Sequence, residues 1–496
     1  MGEAVSTDNY TPTQRTRYRK LLAADLEIFD RHLQAAEFDD QGTIGLELEL
    51  NLVDQDYQPT LANRDVLEHL SEEYQSEIGG YNLELNHPPL AVTGSGLREL
   101  EQGIDARLAA ARSAAEEAGV KVTSIGTLPT VTTDLLEDEW ITPEDRYRAL
   151  NNAILESRGE LVRIDLSDRE RVFHDFGTIG PESTCTSMQL HLQVAPERFT
   201  SAWNASQAIA GVQVALAANS PLFLGHRLWP ESRIPVFGQS IDTRTPELVT
   251  QGVRPRVWFG ERWITSVFDL FEENVRYFSP LLAEAREQAG APVMQGNVPS
   301  LHYLTLHNGT VWRWNRPIYS PSSDGSELAH LRVENRLLPA GPTACDMVAD
   351  AAFYYGLVTY LARETRPVWS RLPFSDAERN FTAGARSGMF SRMTWPTLGT
   401  ISVVSLVREH LIDQAREGLS ALGVDQEVAD HYLGIIDARA ENRRNGATWQ
   451  LRTLDALAPN STPGSRERSE ALAELTRLYL AHQETGKPVH TWEIGA

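Results

Sequence analysis

The chain has 496 residues, 41% of them hydrophobic, and a formal net charge of −23 from 68 acidic and 45 basic side chains. That balance excludes a duplex nucleic-acid partner, because no broad basic surface is available to release phosphate counterions. No apolar run approaches the roughly 18–20 residues of a membrane span, and residues 1–30 lack the apolar core of a secretory leader, so a soluble cytoplasmic protein with no membrane partner is expected. Cys185 and Cys345 are too few for a disulfide framework or a zinc site. Lys20, Lys121 and Lys487 are the only lysines, so a polyphosphate would have to be held by arginine and metal.

In chain order, residues 11–34 read as an amphipathic helix leading into a strand at Ile44–Leu50. There Leu46, Leu48 and Leu50 share one face, and Glu47 and Glu49 share the other. Residues 81–86 form a second alternating strand with Asn82, Glu84 and Asn86 on its polar face, ended by His87-Pro88-Pro89. A long helix spans 95–118 and a mostly apolar strand 120–128. Another helix, 143–158, precedes a third alternating strand at 184–194, whose polar face carries Gln189, His191 and Gln193. Residues 196–218 are helical, and 233–245 read as irregular and polar. Asn308-Gly309 predicts a hairpin within 301–314. The fourth alternating strand, 327–338, sets Arg332, Glu334 and Arg336 opposite Leu331, Val333 and Leu337, and from Thr343 onward the pattern is almost wholly helical. Strands and helices without strict alternation indicate an α+β fold with a largely antiparallel sheet.

The four polar faces together supply carboxylates, one imidazole and two guanidiniums. Neighbouring carboxylates raise each other's pKa unless a positive charge intervenes. An oxygen-rich set with one histidine suits Mg²⁺ or Mn²⁺, and nearby arginines suit phosphoryl oxygens. The first strand alone reads equally as a solvated acidic face, His191 alone as a structural hydrogen-bonder, and Arg332 beside Glu334 as a surface pair; the joint occurrence of four such faces favours a metal–nucleotide site. No Walker A loop, nucleophile elbow, zincin or dinucleotide-binding motif is present.

The segments Gly45-Leu46-Glu47-Leu48-Glu49, Met188-Gln189-Leu190-His191-Leu192 and Leu331 through Thr343 resemble the glutamate–cysteine ligase family, in particular its second bacterial group, the carboxylate–amine ligases. Ala218-Asn219-Ser220-Pro221, Ser232-Arg233 and Asp242-Thr243-Arg244 are similar to a segment of plant and proteobacterial members. The resemblance, which covers about residues 40–360, implies a glutamine-synthetase-like fold: a curved, mainly antiparallel sheet flanked by helices. With the helical pattern beyond it, the chain divides into an N-terminal helix (1–39), a ligase domain (40–365) and a helical C-terminal region (366–496) that the resemblance does not cover. The resemblance also implies activation of the glutamate γ-carboxylate by ATP as an acyl phosphate, displacement by the cysteine amine, and Mg²⁺ as cofactor. By motif position Glu47, Glu49, Glu84, His191 and Glu334 would be metal ligands, Arg336 and Arg332 would contact the transferring phosphoryl group, and Gln189 and Arg233 would bind substrate. Gln189-Leu-His191 departs from the Thr-x-Val-His form of the second group, and Asn335 stands where an aromatic residue is expected, departures that would touch substrate choice more than metal binding. A ligase for another amine and a non-catalytic Mg-nucleotide-binding homologue are the alternatives; the choice between monomer and homo-oligomer stays open.

Overall fold

Because leucines and glutamates alternate in residues 44–50, this segment can bury one face only, and the main sheet grows outward from it on both edges. The structure, a computed structural model, describes residues 10–138, 140–284, 294–295, 298–321 and 328–495. The main sheet consists of β1 (Thr43–Val53), β2 (Tyr74–Ser76), β3 (Asn82–Ala91), β4 (Lys121–Thr123), β5 (Ser187–Gln193), β6 (Asn315–Ser320) and β7 (His330–Pro339). Their order is β6-β7-β5-β1-β3-β2, with β4 on the last residues of β1. Every pairing is antiparallel, and the sheet is curved, as expected.

The helices used below are α1 (Pro12–Ala35), α2 (Gly96–Glu117), α3 (Asp145–Arg158), α4 (Pro196–Ala217), α5 (Arg233–Ser240), α6 (His302–Asn308), α7 (Ala344–Ala362), α8 (Gln426–Asn442) and α9 (Arg466–Gln483). Leu46, Leu48, Leu83, Leu190, Val333 and Leu337 are fully buried on the apolar face of the sheet. The almost entirely buried helices α4 and α7 cover that face. The Tyr355 hydroxyl on α7 donates toward the carbonyls of Gly45 (3.2 Å) and His191 (3.1 Å), and Trp203 Nε1 on α4 donates to the Asn315 carbonyl at 2.9 Å. The polar strand faces therefore open on the opposite side. Helix α1, begun by a Thr11–Gln14 capping box, docks through Asp25, whose carboxylate accepts from the Tyr303 and Leu304 amides at the start of α6.

Several segments differ from the sequence expectation. His87-Pro88-Pro89 does not end its strand: β3 continues to Ala91, and a register shift between Ile44 and Leu46 takes the prolines out of the regular ladder. Only Lys121–Thr123 of the 120–128 run is strand; beyond it the Ser124 carbonyl accepts from Tyr479 and Gln483 of α9, which takes the chain off the sheet. Residues 233–240 form helix α5, since Pro235 falls in the first turn, where no amide is needed, and Ile234, Val236 and Phe237 are buried. Residues 302–308 are helix α6, and Asn308-Gly309 marks its end, with Asn308 Nδ2 donating to the Pro317 carbonyl at 2.8 Å. Glu327 lies outside the described residues, and β7 begins at His330. A two-stranded ribbon, Arg392–Trp395 with Gly399–Ser402, interrupts the C-terminal helices.

The C-terminal helices join the same hydrophobic core as the sheet. Arg439 of α8, 1% exposed, bonds Asp350 Oδ1 at 2.6 Å and Asp346 Oδ1 at 2.9 Å, both on buried turns of α7. Removing one partner of a buried ion triad leaves the others desolvated and unpaired. Arg439→Ala is therefore expected to cost about 3–5 kcal/mol of unfolding free energy. Urea denaturation checks this, and a loss below about 1 kcal/mol would contradict the role given to the triad.

Candidate active site

Register brings the polar faces into one array. Across β1, Glu47 stands opposite Gln189 on β5 and Asn86 on β3, and Glu49 opposite Glu84 on β3. His191 on β5 faces Gly45 on one side and Glu334 of β7 on the other, and Glu334 in turn faces Arg316 of β6. All the side chains proposed from the strands, Glu47, Glu49, Glu84, Gln189, His191, Arg332, Glu334 and Arg336, line one cleft of about 760 Å³, within the usual size of small-molecule sites. Its far wall comes from the start of α3 (Arg146, Tyr147) and from Thr305 to Trp312 around the end of α6.

Two groups can be distinguished within it. In the first, ligand atoms of Glu49, Glu77 and Glu84 lie within 4.8 Å of one another, a spacing that could hold a divalent cation. Glu49 Oε1 accepts from Gln189 Nε2 and the Ser187 hydroxyl, both at 3.0 Å, and Oε2 accepts from the Ser187 amide at 2.7 Å. Glu84 accepts from Gln75 and, at 3.1 Å, from Asn86. Burial pushes the Glu49 carboxyl up to about 7, with Glu84 adding to it. Burial with Glu49 nearby puts Glu77 at about 7, and burial with Glu47 and Glu77 puts Glu84 at about 8. These three groups are short of positive charge.

In the second, His191 Nε2 is paired with Glu47 Oε1 at 3.1 Å, outside the ideal hydrogen-bond direction, and among the described residues neither ring nitrogen of this 4%-exposed histidine meets another partner. Burial works to raise the Glu47 pKa, but His191 and Arg332 outweigh it and leave the group well below the ordinary carboxylate range. Glu334 Oε2 accepts from Arg316 at 2.8 Å, and Oε1, otherwise unpartnered, lies 3.4 Å from Arg336 Nη1. Against its burial, these arginines hold Glu334 below the usual range. Arg332 reaches the Ser320 hydroxyl at 3.4 Å. Buried ring nitrogens and a carboxylate oxygen without donors fit a cation better than they fit a closed hydrogen-bond network.

Arg233, from α5, lies deeper. Nε bonds Glu231 Oε1 at 3.0 Å, a second nitrogen donates to the Leu337 carbonyl, and the guanidinium sits 6.0 Å above the Trp314 ring. Gln193 is on the predicted face but holds the Thr43 amide (3.1 Å) and the Asp39 carbonyl (3.2 Å), a structural task at the rim. Asn335 points away from the cleft, donating to Gln213 Oε1 of α4 at 3.1 Å, so its departure from an aromatic residue does not reach the site. Sequence reasoning missed Glu77, Glu182 and Arg316. Gln75 and Glu77 do share the parity of a strand just before Gly79-Gly80, which was a usable signal; Glu182 sits in a short 3₁₀ turn, Gly180–Thr184, that has no period to read.

The sequence matches glutamate-cysteine ligase family 2 (GCS2) over residues 43–477. No curated protein matches it. Among solved structures, the glutamate–cysteine ligase of Francisella tularensis in complex with AMP superposes with a TM-score of 0.53 at 12% identity, over 92% of this chain and 97% of that one. A bifunctional glutathione synthetase from Pasteurella multocida gives a TM-score of 0.48 at 11% identity, over 95% of this chain and 55% of that one. Among the described residues no helix is long and apolar enough to cross a membrane. The Francisella enzyme has the same fold, and the match over most of its length makes this chain a member of glutamate-cysteine ligase family 2.

Proposed function

We propose that the protein is an ATP-dependent ligase that joins the γ-carboxylate of glutamate to the amine of cysteine. The observation that carries this reading is the placing of Arg316 and Arg336 around Glu334 in the same cleft as the convergent Glu49, Glu77 and Glu84. Such a site is suited to transferring a phosphoryl group: it supplies charge neutralisation and positioning, and phosphoryl transfer asks little else of a protein. The AMP in the Francisella relative supports nucleotide as co-substrate.

In this reading a γ-carboxylate oxygen of glutamate attacks the γ-phosphorus of ATP. The bond from that phosphorus to the β–γ bridging oxygen breaks, and ADP leaves with the electron pair. The cysteine ammonium loses one proton to solvent, the resulting amine attacks the acyl carbon, and phosphate departs with the carbon–oxygen electron pair, taking up the second proton that the nitrogen sheds as the amide forms. Arg336 faces the charge that builds on the transferred group, with Arg332 beside it; Gln189 positions Glu49, and Arg233 receives a substrate carboxylate. Glu49, Glu77 and Glu84 would hold one Mg²⁺, and Glu47, His191 and Glu334 a second. Such ions neutralise phosphate charge and bridge nucleotide to protein.

Purified protein with Mg²⁺, ATP, glutamate and cysteine is expected to release phosphate only when both amino acids are present; release with another amine but not cysteine would contradict the acceptor. Arg336→Met should lower kcat by at least about 100-fold in a protein that still melts cooperatively. Folded Glu47→Gln should be inactive.

The raised carboxyls also make a stability prediction. Each has an ordinary pKa of 4.5 and a folded value of about 7 or 8, so the folded state holds protons that the unfolded chain has released between these limits. Their contribution is most favourable below pH 4.5 and is lost as pH rises through 7–8. In metal-free buffer at about pH 8, Glu77→Gln is therefore expected to raise stability by about 1 kcal/mol or more and to shrink the gain that millimolar Mg²⁺ gives the wild type. A wild-type melting temperature indifferent to Mg²⁺ would count against the cation site.

A further inference from the structure

Arg336 stands on a bulge of β7. Between Asn335 and Leu338 this strand has one residue more than β5, so that Arg336 and Leu337 together face Gln189 and regular pairing does not set their direction. Pairing resumes at Leu338 and Pro339, and further holds on the bulge come from outside β5. The Arg336 amide donates to the Trp314 carbonyl at 2.9 Å, the Leu337 carbonyl accepts from Arg233, and the Ala340 carbonyl just past the strand accepts from Asn219 Nδ2 at 2.8 Å.

Asn219 belongs to Ala218-Asn219-Ser220-Pro221, the segment that leaves α4, and it is fully buried. Its amide donates to Glu231 Oε2 at 2.9 Å, and Glu231 Oε1 bonds Arg233 Nε at 3.0 Å, so Asn219 reaches the bulge a second time through Arg233 and Leu337. The rest of the residue is held by the C-terminal helices. Nδ2 donates its other hydrogen to the Tyr479 hydroxyl of α9 at 2.8 Å. Gln450, on the helix Gly446–Leu457, donates from Nε2 to Asn219 Oδ1 at 2.8 Å and to the Asn219 carbonyl at 3.1 Å. A Cβ on Gly446 would collide with Asn219 Oδ1, so the fit has no slack. An apolar side chain could fill the same space, whereas a fully bonded buried amide also fixes one arrangement of the segments it joins. We infer that Asn219 is a positioning residue for Arg336: it locks the bulge that aims this guanidinium into the cleft, and it takes its own place from the C-terminal helices. Those helices then act on the site through one buried amide. The inference rests on the phosphoryl-transfer role proposed for Arg336.

Asn219→Ala and Tyr479→Phe, which keeps the ring and removes the hydroxyl, test this in the full-length protein, each alone and combined with Arg336→Met. Steady-state phosphate release is measured beside hydrogen-exchange mass spectrometry of residues 334–342. Asn219→Ala is expected to lower kcat at least about tenfold while the KM for ATP changes by less than about threefold, and Tyr479→Phe to lower kcat by a smaller factor. Neither should reduce the residual kcat of Arg336→Met any further, because a residue that works only through the guanidinium has nothing to act on once it is gone. Exchange in 334–342 should rise in both variants. A kcat within about twofold of wild type in both, or the same fold-loss with Arg336→Met as without it, would overturn the inference. Should Asn219→Ala fail to fold, Tyr479→Phe decides by the same criteria. Unchanged exchange in 334–342 would overturn it whether or not the protein turns over. Raised exchange there, beside a wild type that releases no phosphate with any amine, would support the lock and sink the ligase reading instead.

Discussion

The structure turns on an imbalance of charge inside a curved sheet. Glu49, Glu77 and Glu84 come together on and beside β1, β2 and β3 with, among the described residues, no arginine bonded to them, while Glu334, two strands away on β7, has two. A protein that needed only stability would distribute its arginines otherwise, or would keep the three carboxyls in solvent. The unpaired set is a standing cost that a divalent cation would relieve, and His191, whose Nε2 lies 3.1 Å from Glu47 Oε1, completes no hydrogen bond among the described residues. An arginine-rich flank suited to phosphate thus lies beside an acidic set suited to a cation.

Holding like charges close requires a stiff frame, and the rest of the fold is built accordingly. Helices α4 and α7 are apolar nearly all round and press on the back of β1, β5, β6 and β7, and hydrogen bonds from Tyr355 and Trp203 reach the strand backbones behind His191 and Arg316. Helix α7 is clamped in turn by Arg439 of α8, and α9 reaches Ser124 beyond β4 through Tyr479 and Gln483. The helical third of the chain is therefore fastened to the back and end of the sheet that carries the site.

Which parts were legible in sequence follows from the same geometry. A period of two in a half-buried strand declares its faces, so Glu47, Glu49, Glu84, Gln189, His191, Arg332, Glu334 and Arg336 could all be assigned to polar faces, and they line one cleft. Strand order and register were not readable, and it is register that sets Glu49 against Glu84 and His191 against Glu334. Glu77 follows a three-residue strand and offers only its parity with Gln75, Glu182 lies in a turn with no period to read, and both reach the site through tertiary packing. Arg316 was hidden because Asn308-Gly309 looks alike as a hairpin turn and as the end of α6, which shifted attention from the strand that follows. Residues 233–245 read as irregular from their polar composition, yet 233–240 are helical, with Pro235 harmless in the first turn of α5.

The central claim is that this cleft activates a carboxylate by phosphorylating it. Glutamate labelled with heavy oxygen in its γ-carboxylate, turned over with ATP and cysteine and analysed by mass spectrometry of the released phosphate, tests that step directly. Passage through an acyl phosphate moves one labelled oxygen into each phosphate formed. Phosphate released without label, alongside amide product, would mean that the carboxylate was never phosphorylated and would contradict the role given to the cleft.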